Sequence, residues 1–94
     1  MKNYSIKWLT SALNELAELW LNAADRSEVN ASLDAIESRL EESPTEWGEE
    51  LAEDLRSFSS GTVRVLFYVI EPAKVVRVVA AIPAIVGEEG MDDG

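Results

Sequence analysis

The stretch GTVRVLFYVIEPAKVVRVVAAI, residues 61–82, constrains the fold more than any other part of the chain. Valine, isoleucine, leucine and aromatic residues fill most of positions 63–70, and valine fills most of 75–79, which is strand composition. Pro72 suits the second position of a turn, so the two runs form neighbouring antiparallel strands joined about Pro72 and Ala73. That turn sets residue 70 opposite 75, 68 opposite 77 and 64 opposite 81. Because side chains alternate, one face collects Val63, Val65, Phe67, Val69, Val76, Val78, Ala80 and Ile82, all apolar. Such a face must be covered. The other face collects Arg64, Leu66, Tyr68, Ile70, Val75, Arg77, Val79 and Ala81, too charged for a core and too apolar for plain solvent. Two readings fit it: the arginines lie along the sheet and reach water, or they hold a partner. Glu71 and Lys74 are expected to pair across the turn.

The cover comes from upstream. Tyr4, Ile6 and Trp8 alternate with Ser5 and Lys7 and predict a first strand with one apolar face. Thr10 or Ser11 can cap the helix that follows, whose apolar stripe is Leu13, Leu16, Ala17, Trp20 and Ala24. Asp25 stands three residues before Glu28, the spacing of a capping box, and Val29, Leu33, Ile36 and Leu40 mark a second helix. Ser43 precedes Pro44, which ends that helix near Glu42. SPTEWGEE reads as a loop in which Gly48 is free to turn. A short strand is expected over 54–58; a three-residue loop, Ser59 to Gly61, then places Arg56 opposite Arg64.

Composition narrows the chemistry. With no Cys and no His, disulfides, a Cys/His zinc site and a His-dependent triad are excluded, and no cofactor or metal is expected. Adjacent Glu41–Glu42 and Glu49–Glu50 point in different directions and read as solvated surface. The net charge of −10 opposes sequence-blind binding to nucleic acid. Its distribution is uneven, because residues 11–54 carry thirteen carboxylates against two arginines, whereas 55–82 carry four cations against Glu71 alone. No apolar run is long enough to span a membrane, and a cytoplasmic location is expected. The sequence predicts one domain over 1–86 and a mobile acidic tail over 87–94.

The order strand, helix, helix, three strands, with YSIKW leading into SALNELAELW, the helix end IESRLEESP, and Gly61, Arg64, Val65 and Phe67 in a G-x-x-R-V-x-F strand motif, resembles the RelE/ParE superfamily of bacterial type II toxins, the plasmid stabilisation family. The resemblance implies an α+β fold, β-α-α-β-β-β, with a helical hairpin packed on one face of a mostly antiparallel sheet. It implies a cognate antitoxin as partner, received on the open sheet face around Arg56, Arg64, Leu66, Tyr68 and Arg77. Active relatives act on mRNA at the ribosome, in the RelE branch, or are associated with DNA gyrase, in the ParE branch. Arg64 matches the motif arginine, and Arg56 and Arg77 match other basic positions approximately. The final strand runs into AAIPAIVGEEG rather than a basic or aromatic ending, so the reading leans against an RNA-cleaving enzyme. The alternative is a non-catalytic interaction or assembly domain with the same fold, and the valine-rich strands also admit a homodimer.

Overall fold

The computed structural model describes residues 3–84; the stretch 87–94, expected as a mobile tail, lies outside the described residues. The chain runs β1 (Ser5–Trp8), α1 (Thr10–Asn22), α2 (Arg26–Glu42), α3 (Pro44–Trp47), β2 (Glu49–Ala52), β3 (Leu55–Ser60), β4 (Val63–Ile70) and β5 (Val75–Pro83). The five strands form one sheet in the order β1-β5-β4-β3-β2. Only β1 pairs in parallel, Ser5 through Trp8 lying beside Val75 through Val78; the other neighbours are antiparallel. The fold is therefore the expected α+β arrangement with two additions. SPTEWGEE is not a plain loop: Pro44 starts a single helical turn, where its missing N–H costs nothing, and Glu49 and Glu50 begin the edge strand β2. These segments are too short to show a periodicity of their own.

Alternation along β4 and β5 builds the core as expected, with one correction. Phe67 stands opposite Val78 but Leu66 opposite Ala80, so Val79 is an extra residue, a β-bulge. Beyond it the parity of β5 reverses. Ala81 becomes the buried residue, whereas Ala80 and Ile82, expected in the core, turn to the open face. The pairing with β1 ends at Val78, and beyond it α1 supplies an acceptor: the Ala81 N–H donates to Glu15 Oε1 at 2.9 Å. Phe67, Val63, Val65, Val76, Val78, Ile36, Leu40 and Ala12 are all fully buried, forming the layer between sheet and helices.

The helices settle on that layer differently from the simplest stripe. In α1 the residues meeting the core are Ala12, Leu16 and Leu19, joined by Ala23 just past its end, while Leu13 and Trp20 of the expected stripe are 47% and 37% exposed. The rotation follows from how α1 begins. No side chain caps it; instead Leu9 is extended, donates its N–H to the Val78 carbonyl of β5 and accepts from Leu13 N–H, so the sheet edge fixes the first turn. Arg26 closes the other end, donating to the Trp20 and Leu21 carbonyls with its guanidinium 4.5 Å from the Trp20 ring centre. In α2, Ser32 takes the buried place next to Val29, Ile36 and Leu40, and Leu33 is only half-buried. Asp25 caps α2 as expected in position but not in detail: its Oδ1 accepts from Ser27 N–H at 3.0 Å and Ser27 Oγ at 2.6 Å. The Ser27 hydroxyl and N–H hold the Asp25 carboxyl below its usual range.

Two glycines are placed by close approach. Gly61 has φ +60° in the turn between β3 and β4, and a Cβ there would collide with Ser32 Oγ, which accepts from Thr62 N–H and donates to the Glu28 carbonyl. Gly48, expected as a free turn, is a packing position, since a Cβ would stand 2.7 Å from Phe67 Cζ. At the opposite end of the sheet, Tyr4 Oη donates to Glu71 Oε2 at 2.6 Å, which raises the phenol pKa above 10.0. Lys74 lies over the Tyr4 ring and pairs with Glu71 at 3.7 Å, the pair expected across this turn.

Candidate functional site

With α1, α2 and α3 on one side, the other side of the sheet stays open, and its side chains follow from register. On β4 the outward residues are Arg64, Leu66, Tyr68 and Ile70; across β5 they meet Ile82, Ala80, Arg77 and Val75. On β3 the outward positions are Leu55, Ser57 and Ser59, opposite Tyr68, Leu66 and Arg64. The face therefore has an arginine toward one end, Arg64, and another toward the other, Arg77. The apolar pair Leu66 and Ala80 lies between them. Four of the five expected site residues, Arg64, Leu66, Tyr68 and Arg77, share this surface.

Arg56 does not. The loop between β3 and β4 is two residues long, Gly61 and Thr62, so Arg56 stands opposite Phe67 rather than Arg64 and points to the helix side. There its Nη2 donates to the Thr45 and Gly48 carbonyls, both at 2.9 Å, and ties α3 to the sheet. Its Nε is buried without a hydrogen-bond partner. One residue of loop length decides the matter, because each slip reverses the face.

The remaining cations of the face differ in how they are held. Arg64 is half-buried and its Nη2 donates to Ser57 Oγ at 3.1 Å; the contact leaves Ser57 only 3% exposed. The guanidinium is thus fixed along the sheet with donors to spare. Arg77 is exposed beside Tyr68, itself 37% exposed. On the far side of Arg77 the parallel register places Lys7, also exposed. Lys7 is a residue that sequence reasoning missed as part of the site. Its outward position was legible in the alternation of YSIKW, but the pairing of the first strand with the last was not.

Trp47 covers an edge of the core. Its ring stands 6.1 Å from that of Phe58, and the Arg39 guanidinium lies 4.2 Å above it. Among the described residues no group of three or more Asp, Glu, His or Cys could hold a metal ion, and no helix is long and apolar enough to cross a membrane.

No protein-family model and no curated relative matches the sequence. Solved structures do. The RelBE2 toxin-antitoxin complex from Mycobacterium tuberculosis contains a chain 19% identical, matched over 87% of this chain and 99% of that one with a TM-score of 0.73. The isolated RelE toxin from E. coli is 19% identical over 96% of this chain and 94% of that one, TM-score 0.64. The intact E. coli RelBE toxin-antitoxin complex matches at 24% identity over 87% and 98%, TM-score 0.58. At these identities the likeness is one of fold.

Proposed function

From a chain with the fold of the RelE toxins, we propose a toxin-like component of a two-protein toxin-antitoxin pair, whose open sheet face receives a segment of its antitoxin. The observation that carries the reading is the composition of that face, where Arg64, Tyr68 and Arg77 stand among Leu66, Ala80 and Ile82 with no element of the described chain over them. A peptide segment supplies both things the face lacks, apolar cover and negative charge. Covering one large aliphatic side chain contributes about 1.5–3 kcal/mol, so Leu66 and Ile82 offer enough to hold a segment that the arginines then place. The reading is supported by the fold neighbours, which include toxins solved with their antitoxins and an E. coli RelE mutant bound to an antitoxin peptide.

RNA cleavage is not part of the proposal. Such a site needs several cations around the phosphate and groups to move protons. Beyond Arg77 the described part of β5 offers only valine, alanine, isoleucine and proline. That ending, with the net charge of −10, favours the second reading, an interaction module that keeps the fold without the chemistry.

Induced expression separates the two. The toxin reading expects growth arrest that Arg64→Ala relieves while the protein stays folded and abundant. Growth and translation unaffected by the wild-type chain would remove it and leave the interaction module.

A further inference from the structure

Seven cationic side chains lie among the described residues, and five of them are engaged. Arg26 holds the end of α1, Arg39 covers Trp47, Arg56 ties down α3, Arg64 donates to Ser57, and Lys74 pairs with Glu71. The two left without a hydrogen bond, an ion pair or an aromatic ring are Lys7 and Arg77. They are direct neighbours in the parallel register of β1 and β5. Adjacent strands run about 4.8 Å apart, and like charges side by side across a ladder repel. In a chain with more than twice as many carboxylates as cations, the two free cations have been placed together, and neither forms an ion pair among the described residues. Asp54, on the turn between β2 and β3, and Glu71 line the same shallow hollow as Arg77 and Tyr68, yet neither forms an ion pair with Arg77, Glu71 being paired with Lys74.

We propose that Lys7 and Arg77 form a two-cation clamp for one carboxylate, which, resting on the antitoxin reading above, comes from an acidic residue of the bound segment. The guanidinium offers a planar fork to both oxygens and the ammonium adds a third donor from the next strand. Tyr68, on the other side of Arg77, walls the position. A carboxylate fits better than a phosphate diester for two reasons on this face. The neighbouring outward side chains, Val75 and Ile70, need an apolar ligand, and the acidic body of the protein repels a polyanion. Arg64 is a separate anchor, about 13 Å away along β4 at about 3.3 Å per residue.

The test uses the whole chain and a pair of probes differing in one charge, the capped tripeptides acetyl-Leu-Asp-Leu-amide and acetyl-Leu-Asn-Leu-amide, titrated by amide NMR at low salt. The acidic peptide is expected to bind roughly five-fold tighter, the upper end for an exposed ion pair, with saturable shifts at Lys7, Tyr68 and Arg77. Lys7→Gln and Arg77→Gln should each abolish the preference. Each should also raise the thermal midpoint in low salt, because one repelling neighbour is gone. Equal binding of the two peptides overturns the clamp, as does a preference that survives both substitutions. Inorganic phosphate displacing the acidic peptide at lower concentration than acetate does overturns the carboxylate assignment. A preference that behaves as expected in a chain that causes no growth arrest supports the clamp and removes the antitoxin as its donor.

Discussion

The two faces of one sheet, made from alternate residues of the same strands, behave as different materials. Phe67 and Val65 are fully buried under the helices, while their immediate neighbours Leu66 and Tyr68 reach solvent among arginines. The covered face is specified by volume: Gly48 lies over the Phe67 ring with no room for a methyl group, and Gly61 leans on Ser32. The open face is specified by charge and tolerates looser filling. Stability should therefore reside on one side and recognition on the other.

Truncation of neighbouring residues tests that division most directly. Phe67→Ala is expected to cost about 3–5 kcal/mol in urea unfolding, whereas Leu66→Ala, one position away, should cost under about 1.5 kcal/mol. Comparable losses would break the comparison. Next in size, Gly61→Ala combines an unfavourable left-handed φ with the collision against Ser32 and should cost about 2–3 kcal/mol by the same measurement. The arginines sharpen the contrast further. Arg56→Ala strands the Thr45 and Gly48 carbonyls and should lower stability by about 1.5–2 kcal/mol, while Arg64→Ala should leave the unfolding midpoint nearly unchanged and affect only partner binding or arrest. The smallest effect lies away from both faces, at the Asp25 cap. Its carboxyl is held below the usual 3.8, so its contribution is complete above that pH and is lost as pH falls through the lower folded value. Asp25→Asn should therefore flatten the acid limb of stability below about pH 4, read from urea midpoints.

Much of this was legible in the sequence because it depends on local rules. The hairpin β4–β5, the end of α2 before Pro44 and the Glu71–Lys74 pair follow from alternation, from proline geometry and from turn length. What escaped depended on contacts between distant segments. Leu9 starts α1 because Val78 accepts its N–H, which no capping pattern announces. That anchoring rotates α1 and leaves Leu13 and Trp20 outward. Arg56 changed faces with a single residue of loop, and Lys7 joined the site only through the parallel pairing of the first strand with the last. Counting within the last hairpin held from the turn to Phe67 and Val78 and failed past the bulge, where Ala81 rather than Ala80 and Ile82 faces the core; counting across the loop before β4 failed at Arg56.

The extra residue at Val79 acts on the chain as a change of phase. Without a bulge the same residues would pair straight through, setting Ala80 opposite Val65 in the core and turning Ala81 outward, so the bulge selects which residue lies under α1. The helix sits close to the sheet because that position carries a single methyl group. It also sits close because Glu15 can reach the Ala81 N–H from there. A one-residue deletion at Val79 should thus leave Ala81 inward opposite Val65 and Ile82 outward opposite Arg64, and act on stability only through the local twist that the bulge adds.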